Sequence, residues 1–92
     1  MVKVGQKLPK WFKGEVYEIG DEVRNAFSDE RCELTAEELS MYDFIMGMSI
    51  AFEAGYFPWH SEKFRKSMIE DFDKGKDWFR KTNPEAYMIL LD

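Results

Sequence analysis

The chain has 92 residues and a net charge of −5, with 45% hydrophobic residues, 16% aromatic residues and one cysteine. Its length holds a single core, and its apolar content excludes a wholly disordered protein. A lone cysteine excludes an internal disulfide, so we expect a cytoplasmic protein rather than a disulfide-stabilised secreted domain. The longest apolar run, residues 44–52, is much shorter than the roughly 20 residues of a membrane span, so we expect no span.

Charge is distributed unevenly along the chain. Residues 1–14 carry four lysines and no acid, whereas residues 15–62 carry twelve acids against two arginines. We therefore divide the chain into a basic N-terminal arm, residues 1–14, and a single compact domain, residues 15–92. Affinity for duplex DNA comes largely from neutralised phosphates, and an acidic body repels them, so we expect no direct binding to duplex DNA.

Between Glu15 and Leu34, residues alternate in short runs with a period of two. The clearest positions are Val23, Asn25 and Phe27 before, and Cys32 and Leu34 after, a Ser-Asp-Glu turn at residues 28–30. The alternation is bounded by Gly-Asp at residues 20–21 and by this Ser-Asp-Glu turn. It predicts a short β-hairpin or a three-stranded meander.

A strong helix signal starts at Thr35. Thr35 and Glu38 form a capping-box pattern, and Gly55 is a natural left-handed stop, so we predict a helix over residues 36–54. Apolar residues fall on two faces, which predicts a central helix covered from two sides. One face holds Leu39, Tyr42, Met46 and Ile50, and the other holds Met41, Ile45, Met48 and Phe52. A stripe of small residues predicts the close approach of another backbone: Ser40, Gly47, Ala51 and Ala54.

Two further helices follow. Ser61 is a suitable cap for an amphipathic helix to about residue 81, in which Gly75 predicts a bend or an end. Asn83 and Pro84 then predict the cap and first residue of a short last helix, whose apolar tail docks on the core. The predicted fold class is α+β, mainly α, with a core formed by Leu39, Met46, Ile50, Phe64, Met68, Phe72, Phe79 and Leu90.

The residues that could carry chemistry are few. Cys32, Glu53, His60 and Glu62 form the only plausible ligand set, but they lack the spacing of zinc or di-iron sites, so we expect no metal and no cofactor. His60 has no sequence-marked partner for general base catalysis, and carboxylates flanking Cys32 oppose thiolate formation. Glu53 is expected to reach solvent. We therefore predict no catalytic residues and no enzymatic activity.

Two aromatic segments are candidates for binding a partner. The densest patch, residues 56–59, is interpreted either as a cap on the end of the core or as an interaction site, because aromatic residues dominate interface hot spots. The basic arm also carries aromatic side chains, and we interpret it as lying on the acidic body, as disordered, or as a contact for a partner. The candidate partner-binding residues are Tyr56, Phe57, Trp59, His60, Trp11 and Phe12.

Two stretches, ELTAEELSMYDFIMG at residues 33–47 and DWFRKTNPEAYMILLD at residues 77–92, resemble small uncharacterised proteins of marine bacteriophages, including those of cyanobacteria. The resemblance covers about residues 15–92. It departs after Phe27, where those proteins have Thr-Gly and this chain has Ser28-Asp29. The resemblance implies a phage genome, expression in the cytosol of a host bacterium, and a role in takeover, metabolism or particle assembly. It implies no functional residues.

These observations favour a non-enzymatic phage accessory protein that binds a host or phage protein through its acidic face, Glu15 to Asp43, or through the aromatic loop at residues 56–59. Three alternatives stay open. A short chain whose central helix is apolar on two faces also suits self-association into a homo-oligomeric structural or virion component. The others are an acidic nucleic-acid mimic that inhibits a host DNA-binding protein, and a small-ligand binder or enzyme built on His60 and Glu53.

Overall fold

A two-stranded hairpin precedes three helices, in a computed structural model that describes residues 7–25, 27–55 and 62–91. The elements are strand β1 (Asp21–Arg24), strand β2 (Arg31–Leu34), helix α1 (Ala36–Ala54), helix α2 (Glu62–Thr82) and helix α3 (Pro84–Leu90). Helices α1 and α2 pack on each other, and β2 lies against α3 and α1. The predicted mainly α architecture is confirmed, with a hairpin in place of the alternative meander.

The hairpin has an inner and an outer face, as its alternating sequence predicts. The strands pair antiparallel with Val23 opposite Cys32 and Asp21 opposite Leu34. Val23, Cys32 and Leu34 pack on the core, whereas the alternating positions are charged and exposed. A pleated strand places successive side chains on opposite faces, so this register turns Val23, Cys32 and Leu34 inward and the charged pairs Glu22–Glu33 and Arg24–Arg31 outward. Asp21, opposite Leu34, is exposed at the end of the inner face.

Both ends of α1 follow the local sequence signals. The Thr35 hydroxyl accepts from the Glu38 amide at 3.2 Å, and the Glu38 carboxylate accepts from the Thr35 amide at 3.0 Å. Gly55 has a φ of 68°, the left-handed conformation that ends helices, and its amide donates to the Ala51 and Phe52 carbonyls. The predicted bounds of residues 36–54 are therefore confirmed.

The prediction that α1 is covered on two sides is confirmed for only part of the second face, where Leu39 and Tyr42 are partly buried and pack on the core. Its buried apolar residues are Met41, Ile45 and Met48, all from one of the two predicted faces. On the other face, Met46 is half-buried and Ile50 is 57% exposed. Only one apolar face of α1 therefore contributes fully buried apolar residues to the core.

The close approach between helices depends on a glycine of α2 rather than on the small stripe of α1. Gly47 is exposed, and a Cβ built there has no neighbour within 4 Å. Gly75 is buried, and a Cβ there would lie 3.1 Å from the Met41 sulfur and 3.4 Å from Ile45 Cγ1. The predicted end at Gly75 is wrong, because helix α2 continues to Thr82. The missing side chain at Gly75 instead lets α1 pack closely.

The C-terminal helix closes the core as predicted. The Asn83 side chain accepts from the Ala86 amide at 3.1 Å, and Pro84 occupies the first turn. Phe79 and Leu90 are buried as predicted, but Ile50 and Phe64 are exposed, and the other four predicted core residues are half-buried. The buried cluster consists of Leu34, Met41, Ile45, Phe79, Ala86 and Leu90.

The described part of the N-terminal arm packs on the domain. The Trp11 and Phe12 ring centroids lie 6.1 Å and 5.4 Å from that of Phe44 on α1. The Trp78 indole N–H donates to the Lys7 carbonyl at 3.1 Å. Residues 7–14 are therefore attached to α1 through ring contacts and to α2 through this hydrogen bond.

A buried carboxylate joins the N-termini of two helices. Glu38 is 1% exposed, and its second carboxylate oxygen accepts from the Asn83 side-chain amide at 3.1 Å. Asn83 in turn caps α3, so one side chain of the α1 cap is bonded to the α3 cap. The positive ends of both helix dipoles face this carboxylate, which stabilises a charge that burial alone opposes.

We expect Glu38→Ala to lower the free energy of unfolding by about 2 to 4 kcal/mol, because it leaves the Thr35 amide and the Asn83 side chain without their acceptor. Thermal unfolding followed by circular dichroism tests this, with Glu37→Ala in the same turn as the control. Glu38→Gln keeps one acceptor oxygen, so its melting temperature should lie between those of Glu38→Ala and Glu37→Ala. Equal melting temperatures for Glu38→Ala and Glu37→Ala would show that the hydrogen bonds of Glu38 do not stabilise the protein.

The two helical glycines should respond differently to substitution. Gly47→Ala should stabilise the protein by about 1 kcal/mol, since it raises helix propensity and meets no neighbour. Gly75→Ala should gain less, because its methyl group crowds the buried Met41, and Gly75→Leu should cost about 1 to 3 kcal/mol by overpacking. Denaturant unfolding measures all three. Equal stabilisation by both alanines contradicts the proposed helix contact.

Candidate functional site

The exposed side chains of the hairpin include more carboxylates than arginines. Arg31 pairs with Glu22 across the strands at 3.4 Å, and Arg24 pairs with Asp29 in the turn at 3.3 Å. Both arginines therefore have acidic partners on the hairpin itself. Within the described residues, no ion pair forms with the other exposed acids of this element, Asp21, Glu30 and Glu33. We call residues 21–24 and 27–33 the hairpin surface.

The turn of the hairpin holds an aromatic side chain entirely in solvent. Phe27 is fully exposed, although its backbone is fixed: its amide donates to the Asn25 side-chain oxygen at 2.7 Å. The same oxygen accepts from the Ser28 amide, and Asp29 takes the left-handed conformation with φ 63°. Asn and Asp tolerate these turn geometries better than most residues. Residues 27–30 of the turn therefore present an apolar ring among acids.

Asn25 also fixes the turn to α3. Its side-chain amide donates to the Ile89 carbonyl at 2.7 Å, near the C-terminal end of α3. That carbonyl is one of the last four of the helix, which have no partner within the helix. Met88, the residue before Ile89, is exposed, so two exposed apolar side chains, Phe27 and Met88, lie at this end of the molecule.

The segment before β1 extends the acidic surface onto α1. The Tyr17 amide donates to the Ser40 hydroxyl at 2.9 Å, and that hydroxyl donates to the Ala36 carbonyl at 2.7 Å. These bonds bring Tyr17 and Glu15 to the side of α1 that bears Asp43. Val16 and Ile19 are exposed beside them, so this part of the acidic face also mixes carboxylates with apolar side chains.

The Tyr17 hydroxyl lies between carboxylates. A hydrogen bond to Glu15, with partial burial and the Asp43 carboxylate adding to it, raises the pKa of Tyr17 to about 12 from its ordinary 10.0. Neighbouring negative charge disfavours the phenolate, so the hydroxyl stays a hydrogen-bond donor at neutral pH. The cluster thus joins the segment before β1 to α1.

The predicted partner-binding residues fall into two groups. Tyr56, Phe57, Trp59 and His60 lie outside the described residues, as do Pro58 and the Ser61 cap. Trp11 and Phe12 are half-buried because their rings pack on Phe44. The structure therefore does not bring the two groups together, and the role of all six in binding stays a prediction.

The candidates for chemistry are separated in the described structure. Cys32 is half-buried on the inner face of the hairpin, with its sulfur 3.8 Å from the Glu33 carbonyl oxygen. Glu53 is exposed at the end of α1, as predicted. Among residues 7–25, 27–55 and 62–91, no three histidine, cysteine or carboxylate side chains are grouped as metal ligands.

Sequence reasoning missed Phe27 as a site residue. It assigned Phe27 to a strand alternation, and a residue in a polar turn has no periodic signal of its own. The available signal was Asn25, whose side chain commonly accepts from the amide two residues later and thereby forms a turn. That pattern predicts a turn starting at Asn25, three residues earlier than the predicted Ser-Asp-Glu turn.

The chain matches no protein-family model, no curated protein and no solved structure. None of the helices in the described part of the chain is long and apolar enough to cross a membrane. The features that point to a function therefore lie on the surface of the molecule: the acidic hairpin and the exposed aromatic ring of Phe27.

Tyr17 should ionise later than an ordinary tyrosine. Glu15→Gln should lower its pKa from about 12 toward 10.0, and Asp43→Asn should lower it less, because the Glu15 hydrogen bond is the larger cause. Phenolate absorbance measures the titration, and Tyr17→Phe assigns the transition. Because the folded pKa exceeds the unfolded one, the stabilisation is complete below pH 10 and is lost toward pH 12. An ordinary pKa in the wild type contradicts this geometry.

Proposed function

We propose that the protein is non-enzymatic and binds another protein through the hairpin surface, with Phe27 as the apolar anchor. The observation that carries this proposal is the full exposure of Phe27 on a turn whose backbone is held by Asn25. Folding buries none of this ring, so its apolar surface remains available for association. Buried aromatic anchors account for much of the binding energy of typical interfaces.

Charge defines the chemistry of the partner. Asp29, Glu30 and Glu33 surround or follow the turn, and the two arginines of the hairpin are already paired with acids. A complementary surface has an apolar pocket for the ring and lysine or arginine side chains around it. Such charge complementarity increases the association rate and discriminates against acidic partners.

Fixed geometry lowers the cost of association. Asn25 accepts from the Phe27 and Ser28 amides and donates to α3, so these backbone positions are fixed before any partner arrives. Binding then loses less conformational entropy than it would with a flexible loop. The resemblance to phage proteins adds the context of the proposal: an accessory protein whose partner is a host or phage protein in the bacterial cytosol.

Affinity capture tests this proposal. Tagged full-length protein is incubated with lysates of infected and uninfected host bacteria, and the captured proteins are quantified by mass spectrometry. Phe27→Ala should lose a stoichiometric partner, while Ile50→Ala, which removes an exposed apolar side chain from α1, should retain it. With the purified partner, Phe27→Ala should weaken binding at least about tenfold.

A second pair of variants tests the charge. Glu30→Gln with Glu33→Gln should slow association and reduce its salt dependence, whereas Glu70→Gln with Asp73→Asn, an equal charge change on α2, should not. All four acids are exposed, so folding should be preserved. The proposal is wrong if the partner is lost only with Ile50→Ala, if no variant changes capture, or if the protein captures only itself.

A further inference from the structure

Strand β1 has an inner edge that pairs with β2 and an outer edge that does not, while β2 is the strand that lies against α3 and α1. The Asn25 amide donates to the Glu30 carbonyl at 2.8 Å, so residues 25 and 30 are a hydrogen-bonded pair. Such pairs alternate along an antiparallel ladder. The backbone groups of Val23 therefore point to β2, and those of Glu22 and Arg24 point to the outer edge.

The outer edge has backbone groups that can pair with another strand. In the part of the chain that the structure describes, no hydrogen bond involves the Arg24 amide, the Arg24 carbonyl or the Glu22 carbonyl. The Glu22 amide donates to the side chain of Asp21 at 2.7 Å, an exposed contact that another acceptor can replace. Glu22 and Arg24 are exposed, and Val23 between them is half-buried. An edge of this kind is a template for strand pairing.

The charges of the hairpin are unfavourably arranged within one molecule. Glu22 lies directly opposite Glu33, and Arg24 lies directly opposite Arg31. Like charges in these positions destabilise a pair of strands. Exposed ion pairs of Arg31 with Glu22 and of Arg24 with Asp29 offset part of this repulsion. A row of acids and a row of arginines thus run side by side across the hairpin and reach the outer edge of β1.

We propose that two copies of the chain associate through this edge, β1 against β1, so that the two hairpins form one antiparallel four-stranded sheet. The two-fold register sets Val23 opposite Val23 of the second copy. Glu22 of each copy then faces Arg24 of the other, and both of these pairs also exchange backbone hydrogen bonds, because their groups point outward. The row of acids in one hairpin meets the row of arginines in the other.

The register itself favours a second copy as the occupant of this edge. A shift by one residue would set outward backbone groups against residues whose groups point inward. A shift by two residues would set Glu22 against Glu22 or Arg24 against Arg24, and these pairs repel. Only the two-fold register satisfies the backbone and the charges together. The paired segment is short, so we expect a weak dimer with a Kd on the order of 0.1 to 1 mM.

Nuclear magnetic resonance of the full chain tests the geometry. Translational diffusion should slow as the concentration rises to about 1 mM, and a mixture of isotope-labelled and unlabelled protein should show contacts between Val23 methyl groups of different copies. Phe27→Ala should dimerise like the wild type, because Phe27 lies outside the paired segment, so this association is independent of the proposed protein partner. Diffusion that does not change with concentration, a dimer without Val23 contacts, or loss of the dimer in Phe27→Ala would overturn the proposal.

An exchange of charges tests the register. Glu22→Arg sets arginines against each other at both cross-strand pairs, and Arg24→Glu does the same with acids, so each variant alone should dimerise at least about tenfold more weakly. An equal mixture of the two variants again joins opposite charges at both pairs and should form a heterodimer of about wild-type affinity. Glu70→Arg, the same charge change at an exposed position of α2, should dimerise like the wild type.

Sedimentation equilibrium measures these affinities, with circular dichroism to confirm that each variant is folded. The exchanged side chains are exposed, so folding should be preserved. Wild-type affinity in either single variant, or a folded mixture that stays monomeric, would overturn the proposal.

Discussion

The bond between Glu38 and Asn83 is the constraint on which the position of α3 depends. Glu38 is buried, yet its carboxylate accepts from the Thr35 amide and from the Asn83 side chain, which caps α3. A buried carboxylate is unfavourable without such partners, but here donors and two helix N-termini surround it. The Asn83 side chain reaches this acceptor because the start of α3 lies beside the N-terminus of α1.

The position of α3 also determines a contact with the hairpin turn. Once α3 is placed, Ala86 and Leu90 fill the core and the Ile89 carbonyl reaches the Asn25 side chain at 2.7 Å. Asn25 in turn holds the amides of Phe27 and Ser28. The backbone amide of Phe27 is thus held through a series of contacts that starts at a buried carboxylate. In a domain with so few fully buried residues, such polar contacts are a large part of marginal stability.

Local sequence signals predicted the elements of the fold but not which surfaces they bury. Thr35, Gly55 and Asn83 act within a few residues of themselves, so their roles in the capping box, the helix end and the last helix could be identified without tertiary information. The buried face of α1 could not be identified in this way, because α1 carries two apolar faces. The choice between them depends on Gly75, which is distant in the sequence but adjacent in space. Phe27 was missed because exposure of an aromatic residue has no periodic pattern.

The charge and the ring of the hairpin surface act at different stages of the proposed association. The hairpin surface carries acids around an apolar ring, so its electric field attracts a basic partner and the ring then determines how long the complex lasts, since related complexes differ mainly in dissociation rate.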